Sequence, residues 1–407
     1  MVGNKKNKSL LAAIISLISI YTYSQTYLEN FEEIGGFATI GNTSYFMARN
    51  LTEGWALWKT NGTRKGTQLI KGLLDGSSPP GNLFIFKNEL YFASNTPGKG
   101  IELWKSDGTE NGTSLLKDLN TDGDNSSSRP SNFTIYGDML YFTASNQYIS
   151  GPPKLHRTDG TTEGTVLVED IIDAGDIIYS SGNLVVANNK LYFTNNGKLY
   201  ETDGTTEGTK SMVIDGLENM GRFKSFTSGL YFITYSHNNT YIRLYRLTDL
   251  DNYTMLKEFS IESYSGLKLY GLIEVGEKVF FSLGSGNAYN NIRDALWVTD
   301  GTSHGTKEIL NFQDPYLFGS GNFNGFVEHN GNLFFSTGAF NNHLLWTSDG
   351  TVQGTKQANT AINVNPYADM LVWNNKIYYV NGSAGVGSYD VNSNSVENYS
   401  PLRATRK

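Results

Sequence analysis

Leu103-Trp104-Lys105-Ser106-Asp107-Gly108-Thr109, followed by Gly112-Thr113, is the stretch on which the fold turns. A short extended run ends on an aromatic residue and meets Asp-Gly, the dipeptide that best accommodates a tight reversal between two strands. The unit returns at Trp58…Asn61-Gly62-Thr63…Gly66-Thr67, at His156…Asp159-Gly160-Thr161…Gly164-Thr165 and at Tyr200…Asp203-Gly204-Thr205…Gly208-Thr209. It returns again at Trp297…Asp300-Gly301-Thr302…Gly305-Thr306 and at Trp346…Asp349-Gly350-Thr351…Gly354-Thr355. A degenerate copy, Tyr245…Thr248-Asp249, has lost its glycines, and a vestige, Tyr389-Asp390-Val391-Asn392, stands near the end.

An independent marker precedes each copy. Aromatic pairs follow turn-like dipeptides at Tyr45-Phe46, Tyr91-Phe92, Tyr141-Phe142, Tyr192-Phe193, Tyr231-Phe232, Phe280-Phe281, Phe334-Phe335 and Tyr378-Tyr379. Both markers count eight, at intervals from 39 residues (Tyr192 to Tyr231) to 54 (Phe280 to Phe334). That spacing suits a four-stranded propeller blade. The second copy reads as strand A over Leu83 to Phe86, a turn at Lys87-Asn88-Glu89, and strand B over Leu90 to Ser94. Strand C covers Ile101 to Lys105, and strand D covers Thr113 to Leu119. No segment has helical periodicity over a useful length, which excludes helical solenoids. The expected fold is all-β, a single β-propeller of eight four-stranded blades over residues 25–407, with seven blades as the alternative. Two segments compete to complete the last blade, Thr26 to Phe31 and Val396 to Ser400.

The repeat resembles the bacterial secreted proteins whose unit is E-L-W-x-T-D-G-T-x-x-G-T, described as hyalin-like. Glu102 to Thr109 carry the match, and the resemblance runs from about Phe37 to Tyr399. It implies an exported repeat propeller and is silent on ligand. The Asp-Gly-Thr hairpins also look like the structural Asp-box turns of sialidase propellers.

The first 24 residues read as a signal peptide. Lys5, Lys6 and Lys8 precede the apolar run Leu10 to Ile20, which is too short to span a bilayer, and Thr22-Tyr23-Ser24 offers a cleavage site before Gln25. An uncleaved membrane anchor is the alternative. Loss of those three lysines takes the formal charge from −7 to −10. An acidic surface argues against nucleic acid as a partner, and no membrane insertion is expected after leader removal. The chain has no cysteine, so the fold must be held by burial without disulfides. Export to the periplasm or the medium is expected.

No catalytic residue, metal site or cofactor is expected. The Asp-Gly-Thr motif is accounted for by turn chemistry, with aspartate accepting backbone N–H groups. Asn120-Thr121-Asp122-Gly123-Asp124-Asn125 is oxygen-rich in the manner of a calcium loop but lacks a downstream acidic ligand, so it reads as a D-to-A linker. His156, His237, His304, His329 and His343 show no zinc spacing, and His156 takes the place of a strand-C aromatic. The copies differ most between strands B and C. Those loops lie at the same end of an antiparallel meander as the D-to-A linkers, opposite the Asp-Gly-Thr hairpins. They are rich in Asn, Ser, Gly and Tyr, which suits hydroxyl-rich ligands or a protein surface. Tyr148, Tyr289, Asn290 and Arg293 are the candidate binding residues. Tyr148 and Tyr289 supply stacking area, Asn290 hydrogen bonds, and Arg293 a fork donor for a carboxylate or sulfate. The expected function is a non-catalytic binding or adhesion module for a glycan or an exported protein. A polysaccharide lyase or glycosidase and a structural matrix protein are the alternatives.

Overall fold

Each repeat marker sits where a strand or a reversal is needed, and the computed structural model bears this out. It describes residues 31, 33–50, 52, 54–63, 65–73, 81–145, 154–168, 184–195, 198–205, 207–211, 219–236, 241–249, 252–260, 268–284, 294–312, 324–339, 342–364, 370–381 and 385–399. The segment read as a leader lies outside these. The fold is all-β: eight four-stranded antiparallel sheets, the blades of a β-propeller, each built from four consecutive strands. They span residues 33–72, 84–117, 131–167, 185–211, 219–260, 268–312, 324–363 and 371–399. The described residues form two compact units divided between Ser225 and Phe226. Sheets one to four belong to the first, and sheets six to eight to the second. The division falls in the first strand of the fifth sheet, Asn219–Phe226.

The second sheet carries the pattern most plainly. Its strands are Phe84–Phe86, Glu89–Thr96, Gly100–Ser106 and Ser114–Lys117. Lys87 and Asn88 both have positive φ, 48° and 64°, which is the backbone of a two-residue type I′ hairpin. Alternation then sorts the side chains. Tyr91 and Leu103 face the third sheet's Leu140 and Phe142, while Phe92 and Trp104 pack with Tyr45 and Leu57 of the first sheet. Within each unit the core therefore lies between successive sheets, and burying a large side chain there contributes about 1.5–3 kcal/mol. The strand-C aromatic also stacks on its strand-B neighbour, as in Phe193–Tyr200 at 14° and Phe281–Trp297 at 17°.

Strand D holds a feature absent from the sequence reading. Leu57 opposes Lys71 and Trp58 opposes Leu69, so Ile70 is an extra residue, a β-bulge. The same slip makes Leu116, Leu256, Ile309 and Ala358 the extra residues of the second, fifth, sixth and seventh sheets. Ile70, Leu116, Leu256 and Ile309 are buried. The bulge turns an apolar side chain inward from an edge strand and interrupts that edge as a template for pairing. An apolar residue three positions after Gly-Thr, as in Gly66-Thr67…Ile70, is the signal that marks it.

The eighth sheet settles which segment supplies its fourth strand. Ser395–Tyr399 pairs along Gly385–Asp390, from Val386 opposite Tyr399 to Asp390 opposite Ser395. The sheet is complete from its own repeat. Of the competing segment only Phe31 lies within the described residues, and its ring meets Phe46 and Trp58 edge-on at 5.7 and 4.9 Å.

Candidate functional site

The antiparallel meander gives each sheet two ends. One carries the A–B turns and C–D hairpins, the other the B–C loops and D–A linkers.

At the hairpin end the hydrogen bonds can be followed proton by proton. The Gly108 N–H donates to Ser106 Oγ at 3.0 Å, and Thr113 Oγ1 donates to the Thr109 carbonyl at 2.6 Å. Thr113 has used its one proton, so Ser106 Oγ must donate to Thr113 Oγ1 across their 2.7 Å contact. Asp107 Oδ1 accepts from both the N–H and the hydroxyl of Thr109, at 2.8 and 2.7 Å, and Thr109 Oγ1 accepts from Gly112 N. The same pattern recurs around Asp159, Asp203, Asp300 and Asp349. The hydroxyl and N–H of the following threonine hold the Asp107, Asp203 and Asp349 carboxyls below the usual range. Even the vestige keeps the aspartate's role, with Asp390 Oδ1 accepting from Asn392 and Ser393.

Gly112 is required because a methyl there would collide with the Asp107 carboxylate. Gly108, at φ 87°, would press one onto the Tyr45 hydroxyl of the preceding sheet. Its carbonyl is in turn capped from that sheet by Lys59 Nζ at 3.3 Å. Lys105, Arg157 and Arg246 cap Gly160, Gly204 and Gly301 in the same way, at 3.0, 3.0 and 3.2 Å. The sixth sheet has Val298 at that strand position, and Lys278 reaches the Asp349 carbonyl instead, at 2.8 Å. These side chains are engaged in turn and sheet-to-sheet bonds, as hairpin chemistry requires. Asp107→Ala is expected to lower the melting temperature modestly, since its bonds are worth about 1 kcal/mol each. Thermal denaturation of the variant checks it, with Asp300→Ala as a second copy.

The other end is organised differently. In the second sheet the B–C turn and the D–A linker meet directly, with Asn125 N donating to the Gly98 carbonyl at 3.2 Å. The calcium-like loop is a packed linker. Asn120 Oδ1 accepts from Asp122 N, Asn120 Nδ2 donates to the Ser127 carbonyl, and Ser127 Oγ accepts from Ile101 N. Among the described residues no three His, Asp or Glu side chains are grouped so as to hold a metal ion. Lys99 pairs with Asp118 at 2.6 Å across the base of this loop.

Beneath the linker lies Glu102, fully buried. One carboxylate oxygen accepts from Ser128 N at 2.8 Å; the other accepts from Leu119 N at 2.8 Å and Ser128 Oγ at 2.6 Å. Burial pushes this carboxyl up, and the three donors oppose that shift. The Ser128 carbonyl in turn accepts from Ser145 N at 2.8 Å, where the B–C loop of the third sheet leaves its strand. The carboxylate thus reaches, through one residue, the root of the loop that carries Tyr148. Sequence reasoning quoted Glu102 only as part of the repeat. Its signal was available, since no other copy has an acidic residue two places before the strand-C aromatic.

Tyr148, Tyr289, Asn290 and Arg293 themselves lie outside the described residues. The loop of the last three leaves the sixth sheet beyond Leu283 and returns before Ala295, which oppose each other across strands B and C. Tyr148 falls in sequence between the strands Met139–Ala144 and Lys154–Thr158, which belong to the other unit. His156 lies where its aromatic counterparts do, stacked on Phe142 at 5.5 Å and 19°, with Nδ1–H donating to the Lys154 carbonyl at 3.0 Å.

No known sequence family matches the chain, and no curated relative matches it. Solved structures resemble it in fold at very low identity. BamB from Moraxella catarrhalis is 13% identical, with 75% of this chain covering 79% of that one at a TM-score of 0.42. An oligogalacturonate lyase in complex with manganese is 11% identical, with 66% covering 76% at 0.42. A puromycin hydrolase is 13% identical at 0.42, and the chain spans only 47% of its length.

Proposed function

We propose that this protein is a non-catalytic binding module that presents its B–C loops and D–A linkers to a ligand. The observation that carries the reading is the chain from Glu102 through Ser128 to Ser145. A buried carboxylate is held there to fix a linker and the root of a variable loop, while the opposite end repeats one hairpin. Rigid support beneath individual loops is the arrangement by which scaffolds present recognition residues. The ligand is an uncharged or weakly anionic glycan, with an exported protein as the second class. Tyr148 and Tyr289 provide stacking faces, Asn290 exchanges hydrogen bonds with hydroxyls, and Arg293 pairs with a carboxylate or sulfate. Adhesion in the periplasm or medium is the setting this implies.

A glycan array and a pull-down from exported proteins, each run with wild type and a Tyr289→Ala, Arg293→Ala double variant, test it. Capture by wild type and loss by the variant is the expected result. Equal capture by both overturns the residue assignment. Depolymerisation of a polysaccharide by the purified protein overturns the binding-only reading in favour of an enzyme.

A further inference from the structure

Three Asn-Gly pairs lie in described turns: Asn61-Gly62, Asn111-Gly112 and Asn330-Gly331. Such a pair carries its own reaction. The glycine backbone nitrogen attacks the asparagine Cγ, an N–Cγ bond forms, the Cγ–Nδ2 bond breaks, and the amide proton leaves with that nitrogen as ammonia. Water then opens the cyclic imide to aspartate or isoaspartate. The step needs a glycine N–H that is free to lose its proton and approach the carboxamide.

In all three turns that N–H is taken. Gly62 N donates to Thr60 Oγ1 at 3.0 Å, Gly112 N to Thr109 Oγ1 at 3.0 Å, and Gly331 N to Glu328 Oε1 at 2.9 Å. At Asn61 the electrophile is pinned as well, since its Oδ1 accepts from both Thr63 N and Thr63 Oγ1. The three guards differ in kind. Thr60 is buried, and Thr109 is tied by its own hydroxyl proton to Asp107. Glu328 is an exposed side chain near the end of the strand Asn324–His329, and its hold on Gly331 is a single bond at the surface; the Asn330 carboxamide nitrogen lies 3.3 Å from His329 Nε2.

We propose that these three Asn-Gly turns are latent deamidation sites which native hydrogen bonds keep closed, and that Asn330 is the one of the three that opens first. Asn330 has φ 51° in the A–B hairpin of the seventh sheet. Conversion to isoaspartate adds a backbone carbon to a two-residue turn and disturbs that sheet irreversibly. Asn61 has the opposite outcome open to it, because aspartate is the residue of the other intact hairpins.

Peptide mapping by mass spectrometry during incubation at neutral pH, with and without unfolding urea, reads all three sites in one sample. In the folded protein Asn330 converts fastest, while Asn61 and Asn111 lag far behind their rates in urea. Glu328→Ala accelerates Asn330 alone, by up to about tenfold for one lost hydrogen bond. Glu328→Gln, which keeps an acceptor oxygen, stays near wild type. Equal rates at Asn330 in wild type and Glu328→Ala, or conversion of Asn61 in the folded protein as fast as in urea, overturns the proposal. The Glu328 pair changes only an exposed residue near a strand end, so the comparison does not depend on a variant that fails to fold.

Discussion

Glu102→Ala should destabilise the protein by on the order of 3 kcal/mol, because it removes the acceptor of Leu119 N and one of the two acceptors of Ser128 N and Ser128 Oγ, which also reach the Ile101 carbonyl. Leu119 N, Ser128 N and Ser128 Oγ all converge on this carboxylate, and the residue is fully buried. Glu102→Gln is the sharper probe. A carboxamide keeps one acceptor and substitutes a donor for the other. If its oxygen faces Ser128 N, its NH2 confronts the Leu119 N–H; the flipped amide confronts the Ser128 N–H instead. Neither orientation lets the side chain accept from both amides, although Ser128 N keeps the Ile101 carbonyl, so about 1–2 kcal/mol should be lost at nearly unchanged volume. Urea denaturation measures the loss, and hydrogen exchange locates it. The Leu119 amide should lose protection in Glu102→Ala, whichever amide faces the carboxamide NH2 should lose it in Glu102→Gln, and Ser145 should follow in Glu102→Ala because its N–H rests on the Ser128 carbonyl. Unchanged protection at Leu119 in Glu102→Ala would show that the carboxylate does not hold the linker. The same variant bears on function, since loosening the root of the Tyr148 loop should weaken ligand capture without touching any proposed contact residue.

The extent to which the fold was legible follows from where its information is local. Asp-Gly-Thr and the aromatic pairs each specify a turn or a strand within a few residues, so eight sheets, their order and their two ends could be read directly. The strand limits of the second copy agree with Phe84–Phe86, Glu89–Thr96, Gly100–Ser106 and Ser114–Lys117 to within a few residues. What escaped depends on partners distant in sequence. The capping of Gly108 by Lys59, or of Gly301 by Arg246, joins residues about a full repeat apart, and a lysine after Trp58 reads alone as an exposed charge. The strand-D bulge escaped for another reason. Its extra residue, Ile70 or Leu116, fits an extended apolar run, and only the register against strand C reveals the added position. The candidate binding residues were chosen because their loops depart from the repeat, and departure names a place without naming a geometry. Glu102 shows the converse. It stands in the best-matching copy of the repeat, yet its role belongs to one sheet alone.

His156 should make the protein lose stability as pH falls from about 6.5 to 4, by about 3 kcal/mol in all. Burial pulls the imidazole down to about 4, assisted by the charge of Lys154 and opposed by the bond to the Lys154 carbonyl. The unfolded chain takes up its proton near the ordinary value of about 6.5. Between those two values the unfolded state binds more protons than the folded one, so each step downward in pH favours unfolding, and below the folded value the effect is complete. Two other groups must be separated from it. The hairpin aspartates have lowered values, so their contribution is present above the unfolded carboxyl range and is lost only as pH falls through their folded values, beneath the His156 window. Glu102 is shifted upward, so acid protonates it first in the folded state and acts with the opposite sign. The measurement is therefore a difference, with urea denaturation of wild type and His156→Phe compared at intervals from pH 7 to about 4. Phenylalanine preserves a ring on Phe142 and removes the titration. The gap between the two stability curves should change in favour of the variant as pH falls through this window, while the contributions of Glu102 and the aspartates cancel. Parallel curves across it would mean that the ring is solvated well enough to accept its proton without unfolding, and that its place in the aromatic stack is not a closed one.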